Sequence, residues 1–340
     1  MTSQRFVDLF CGTGLFSQGA ERAGLTPELG INHWGVACKL FKAAHRDTPV
    51  HQQDLALYDY GQLPRVPGLI GGPSCKGFTK ARGTHKPKVH DPLRALMGSI
   101  PNALEAGDFD WAVVENVAEV TEWIRWDAWK LDVELCGYSL RVHRLQAEEF
   151  GSASERDRVF IHILRGKHRA MPDWAGVLQD LRRPGPVADD VLDWDYSRWS
   201  RLTKPDRSPK VLRQWHRAYQ DGVWEEAVGR GQHSSSGVPR FLFPYYGSGS
   251  GLTGRAVTRP MATVVAHDVW AVTRWTGTGR ADRASSWEMR MLQPHEAFAF
   301  MDSAAPNVTG VTRRDLMRAA GNGVPVNLGH AAVSAALESV

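Results

Sequence analysis

The 340-residue chain is 42% hydrophobic and 23% charged, the profile of a globular protein with room for two domains or for one large domain with an insertion. Its formal net charge of +4 permits a polyanionic partner without demanding one. No apolar run reaches the roughly 18 residues of a membrane span, and Cys11, Cys38, Cys75 and Cys136 lack the close pairing of a zinc site or a disulfide framework.

A reducing, cytoplasmic setting is therefore expected, with no metal and no membrane. The opening "MTSQRFVDLF" enters a strand pattern directly, without a charged-then-apolar leader. Short apolar runs then alternate with helical spacing. The predicted strands are "RFVDLF", "PELGIN", "PGLIGG", "WAVVEN", "YSLRVHRL" and "RVFIHIL". Between them, "FSQGAERAG", "GVACKLFKAAH", "PLRALMGSIPNALEAG" and "DAWKLDVELCG" carry helix-compatible patterns, three of them closing on a glycine. Such βα alternation predicts an α/β domain with a doubly wound, mostly parallel sheet.

After about residue 167 the pattern changes. "RRPGPVADD", "RGQHSSSG" and "YYGSGSGLTGR" interrupt a stretch rich in arginine and tryptophan, which predicts a smaller, irregular second domain. Trp194, Trp199, Trp215 and Trp224 stand among arginines there, and most of the chain's 13 tryptophans are expected to pack in cores or beneath guanidinium groups. Near the end, "GNGVPVNLGHAAVSAALESV" reads as a turn followed by an alanine-rich helix that returns to the first domain. The expected divisions are 1–168, 169–304 and 305–340.

Ligands of open parallel sheets bind beyond the carboxyl ends of the strands. Three such ends carry chemistry. "FCGTGLF" sets Gly12 and Gly14 between strand and helix, where backbone can approach a cofactor or simply turn tightly. "GGPSCKGFTKARG" sets Cys75 after a strand and before Lys76, Lys80 and Arg82, with Lys86 further on; positive neighbours are expected to lower its pKa and favour the thiolate. A free cysteine is more commonly a small buried residue. "WAVVENV" ends a strand on Glu115 and Asn116, where a carboxylate serves equally as catalyst or helix cap.

The order of these features resembles the DNA (cytosine-5) methyltransferase family. "DLFCGTGLFSQGAERAG" is similar to its S-adenosylmethionine loop, "GGPSCKGF" to its proline-cysteine nucleophile motif, "ENV" to its carboxylate motif and "FGSASERDRVFIHI" to its arginine motif. "RPMATVVAHDVWAV" and "GNGVPVNLGHAAV" are similar to its two C-terminal motifs.

The resemblance implies a Rossmann-like methyltransferase sheet at 1–168, a target-recognition domain at 169–304 and a returning segment at 305–340. It implies that Cys75 attacks C6 of the target cytosine, that Glu115 hydrogen-bonds N3 and the exocyclic amine, and that Arg156 and Arg158 lie near the base and its backbone. The cofactor would be S-adenosylmethionine, with Phe10 and Trp34 about its adenine, Gly12 and Gly14 admitting its methionine part, and Asp54 accepting from its amino group. Asp8, Thr13, Leu15, His33, Leu55, Pro73, Asn322 and Val324 complete the implied cofactor site. Lys76, Lys80, Arg82 and Lys86 would meet phosphates of double-stranded DNA. A monomer is expected, since an enzyme that flips a base from one strand at a time needs no two-fold partner.

Departures from the family pattern are Ser74 for a second proline, Lys76 for glutamine, Ser154 for glutamine and His33 for an acid. Imidazole lacks the charge and bidentate reach of a carboxylate toward ribose hydroxyls. Three other readings stay in view: a tRNA cytosine-5 methyltransferase, a catalytically silent nucleic-acid-binding relative, and an NAD-dependent dehydrogenase, which would need a third glycine.

Overall fold

Continuous apolar runs such as "WAVV" bury on both faces, and they build the interior of a seven-stranded sheet in the computed structural model. The structure describes residues 4–75, 78, 92–167, 170–221, 223, 239–245, 254–266 and 269–338. The sheet contains β1 (Arg5–Leu9), β2 (Thr26–Asn32), β3 (Val50–Gln52), β4 (Gly68–Gly71), β5 (Trp111–Asn116), β6 (Tyr138–Gln146) and, after the two-residue β7 (Ser154–Glu155), β8 (Asp157–Arg165). Their spatial order is β3-β2-β1-β4-β5-β8-β6. Pairing is parallel from β3 through β5, while β8 runs antiparallel between β5 and β6.

Alternating side chains feed two cores, as a strand period of two requires. Val7, Leu9, Ala112 and Val114 pack with Ile100, Leu104, Trp129 and Val133 on one face. Phe6, Trp111, Val113 and Phe160 pack on the other with Phe16, Ala20, Leu328 and Ala332. Helices Leu15–Arg22 and Val326–Leu337 thus share the second face, so the C-terminal helix does return to the sheet. Gly19 and Gly329 let them touch.

The second half is more ordered than its composition suggests. β9 (Ser200–Arg201), β10 (Arg240–Pro244), β11 (Arg255–Ala256), β13 (Trp270–Trp275) and β14 (Trp287–Met291) form an antiparallel sheet in the order β11-β10-β13-β14-β9, while β12 (Met261–Ala262) pairs with β7. Helix Pro209–Gln220, capped by Ser208, buries Val211, Trp215 and Ala218 against this sheet. Trp215 and Trp287 are fully buried core residues. Trp194 and Trp199 lie under the guanidinium groups of Arg240 and Arg274, each 4.1 Å from the ring centroid. Trp224 lies outside the described residues.

No described helix is long and apolar enough to cross a membrane. No group of three or more His, Cys, Asp or Glu side chains among the described residues is placed to hold a metal ion.

Candidate active site

The chain leaves β1 toward β2 on one side and returns to β4 on the other, so a crevice opens beyond their carboxyl ends. Register brings three ends to one level: Leu9 faces Gly71, and Gly71 faces Val114. The next residues are Phe10, Gly72 and Glu115. Phe10 turns the chain with a left-handed φ of 62°, a conformation costly for any residue but glycine. Gly12 follows at 55° and Gly14 at 82°, the latter opening helix Leu15–Arg22.

Glu115 faces Phe160 of the antiparallel neighbour, so Arg158, two residues away, projects from the same face. Arg158 Nε lies 2.8 Å from Glu115 Oε1. Arg156 is buried and acts as a cross-brace, donating to the carbonyls of Val264 at 2.9 Å and Gly321 at 3.0 Å. Burial pulls its pKa down to about 9, which leaves it protonated at neutral pH.

Asn116, fully buried, donates to the carbonyl of Pro73 at 3.2 Å and so ties the carboxylate strand to the cysteine loop. Cys75 is half-buried, and its carbonyl accepts from the backbone N–H of Phe78, a core residue, at 2.8 Å. Its pKa is raised, not lowered as the sequence suggests. Burial and then the Glu115 carboxylate push the thiol up, and Arg158 and Arg156 pull it down without overcoming them. The basic side chains that face it come from β8 and the segment before it. Lys76, Lys80, Arg82 and Lys86 lie outside the described residues.

A cavity of about 200 Å³ joins these groups to the glycine loop. Of the expected residues, Cys75, Glu115, Arg156, Arg158, Asp8, Phe10, Gly12, Thr13, Leu15, His33, Trp34, Pro73, Asn322 and Val324 line it. Gly14, Asp54 and Leu55 do not. Gly14 packs away from the cavity against His45, whose Nε2 lies 3.1 Å from its carbonyl. The exposed Asp54 accepts from the backbone of Ala56 at 3.0 Å, and Leu55 is buried in the core with its carbonyl bonded to the Tyr60 hydroxyl.

The structure adds residues that motif reading passed over. Arg318 lines the cavity with its guanidinium 4.2 Å from the Trp34 ring centroid. It stands four residues before Asn322 on helix Arg313–Asn322, a spacing that puts both on one face. Asn32 also lines the cavity and accepts from the Trp34 N–H at 2.9 Å. Ser17 donates to Asp8 at 2.6 Å.

Residues 4–338 match the model of the C-5 cytosine-specific DNA methylase family. The chain belongs to that family. Among curated proteins, Type II methyltransferase M1.HphI of Haemophilus parahaemolyticus is 30% identical over 190 residues, 50% of this chain and 49% of that one. Type II methyltransferase M.HgiDI of Herpetosiphon aurantiacus is 28% identical over 207 residues, 56% and 62% of the two chains. The chain therefore spans only about half to three fifths of the length of these curated relatives. Among solved structures, the Dnmt2 methyltransferase of S. pombe aligns with a TM-score of 0.68 at 14% identity over 99% of each chain. The methyltransferase EhMeth of Entamoeba histolytica gives 0.65 at 10% identity, over 100% of this chain and 99% of that one. Such low identities speak to the fold: a Rossmann-like methyltransferase sheet with a smaller second part.

Proposed function

We propose that the chain is a DNA cytosine-5 methyltransferase that methylates C5 of a cytosine turned out of the duplex. The observation that carries the reading is the convergence of Cys75, Glu115 and Arg158 on one cavity whose other wall is the Phe10–Thr13 turn, in a chain of this family.

The cavity suits S-adenosylmethionine. Thr13 Oγ1 is buried without a hydrogen-bond partner among the described residues, a donor and acceptor open to a polar group. A Cβ built on Gly12 would meet only the Phe10 carbonyl, at 3.8 Å, so space there is open. Phe10, Gly12, Thr13, His33, Trp34, Asn322 and Val324 would hold the cofactor. When bound, it supplies an electrophilic methyl group.

Cytosine C5 is a poor nucleophile, and addition of the Cys75 thiolate at C6 makes it a good one. Glu115 at N3 and the exocyclic amine stabilises the electron-rich ring, with Arg158 fixing the carboxyl group. Once C5 carries the methyl group, loss of its proton expels Cys75. Turning the base out costs on the order of a few kcal/mol of stacking and pairing.

The test is to incubate the protein with labelled S-adenosylmethionine and mixed-sequence duplex DNA, digest to nucleosides and look for 5-methylcytosine by mass spectrometry. Product with wild type and none with Cys75→Ala supports the reading. Product only on tRNA, run in parallel, would move the substrate to RNA. No product on either would leave a silent binding relative.

A further inference from the structure

A second concavity, of about 360 Å³, lies in the antiparallel-sheet half. Its walls include Arg198, Arg207, Arg290 and Arg313 together with Tyr196 and Tyr245, and no aspartate or glutamate among the described residues lines it. Glu296 is committed to Arg290, accepting at 2.6 and 2.8 Å in a buried pair behind the wall. Arg198, Arg207 and Arg313 give the rest of the lining its positive charge.

The lining is rich in donors, which suits phosphate oxygens accepting from several sides.

Position supplies the second argument. Arg313 begins the helix Arg313–Asn322, whose far end brings Arg318 and Asn322 into the catalytic cavity. At 1.5 Å per residue, the two pockets are joined by a rod about 14 Å long. Duplex DNA carries a phosphate every 3.4 Å or so along each strand. About four such steps span the length of that rod.

We propose that this arginine-tyrosine pocket clamps a phosphodiester of the DNA strand within about four nucleotides of the target cytosine. The inference rests on the DNA reading above. It assigns the pocket to positioning the duplex and not to choosing the sequence.

The experiment measures Kd for labelled duplexes of several sequences against salt, using the whole chain, with methylation followed in parallel. Arg198→Gln and the double variant Arg198→Gln/Arg313→Gln change exposed side chains. Lys130→Gln, on a helix of the other half, is the control. Removing one arginine–phosphate pair should lower the slope of log K against log salt by about 0.9. Affinity should fall roughly tenfold for the double variant, by the same factor on every sequence. An unchanged slope and Kd would overturn the proposal, as would weakening confined to one sequence, which would make the pocket a base reader. Variants weakened on DNA that wild type binds but does not methylate would keep the clamp and sink the catalytic reading. Absence of DNA binding by wild type would sink both.

Discussion

Arg158 and Glu115 form an ion pair of 2.8 Å in which each side chain is only 11% exposed. The pair lines the catalytic cavity together with Cys75. Removing one partner leaves a charge desolvated and unanswered. Arg158→Leu should therefore lower the unfolding free energy by about 3 kcal/mol and abolish methylation, whereas Arg158→Lys should restore most of the stability and little of the activity. Urea midpoints and kcat for the variants check this. A stable and active Arg158→Leu protein would show that Glu115 needs no partner.

The Cys75 thiol is held above its usual pKa by burial and by Glu115. Because the thiolate is the reactive form, alkylation of Cys75 should rise with pH along a limb displaced to the alkaline side of an ordinary thiol, near 8.5. Glu115→Gln removes the opposing charge and leaves Arg158 and Arg156 in place, so the limb should move to lower pH. Iodoacetamide labelling followed on the Cys75 peptide by mass spectrometry reads both curves. A limb that does not respond to Glu115→Gln would mean that burial alone sets the thiol.

Much of this architecture is written in the sequence, for identifiable reasons. Interior strands such as Gly68–Gly71 and Trp111–Asn116 bury both faces and so read as unbroken apolar runs. Val50–Gln52 is three partly polar residues and gives no such signal. In the second half, Arg240–Pro244, Trp270–Trp275 and Trp287–Met291 carry arginines that reach tryptophan faces or carboxylates after folding, which masks them as polar segments. The reactive groups are legible because they follow strand ends directly. Arg318 is not, since only the helix and the position of Trp34 bring it to the cavity. The pKa of Cys75 escaped sequence reasoning because burial and Glu115, distant in sequence, outweigh the pull of Arg158 and Arg156.

Asp8 offers a pH test of the cofactor side. Burial pushes its carboxyl up to about 7, with Ser17 and His45 pulling the other way. In the unfolded chain it titrates near 4. Between these values the folded state holds a proton that the unfolded state has released. Its contribution to stability is thus fully present below about pH 4 and lost as pH rises past about 7. Asp8→Asn carries no such proton, so the stability of wild type relative to this variant should fall between about pH 5 and pH 8, by on the order of 2 kcal/mol. Urea titrations of both proteins at the two pH values measure it, and parallel profiles would place the Asp8 pKa near its ordinary value.

The crossing of helices Leu15–Arg22 and Val326–Leu337 carries the last prediction, because it fixes the glycine loop to the sheet. A Cβ on Gly19 would stand 2.8 Å from both the His330 nitrogen and the Val326 carbonyl oxygen, and 2.9 Å from the Gly329 carbonyl carbon. All three are backbone atoms and cannot rotate away. On Gly329 the nearest atom is the Phe16 ring at 3.0 Å, a side chain with room to adjust. Gly19→Ala should therefore cost about 2–3 kcal/mol by overpacking, more than Gly329→Ala, although alanine favours helices by up to about 1 kcal/mol over glycine. The displaced helix begins at Leu15, which lines the cavity, so cofactor affinity should weaken as well. Thermal midpoints and calorimetric titration with S-adenosylmethionine read the two effects, and a Gly19→Ala protein as stable as wild type would mean that the helices part without cost.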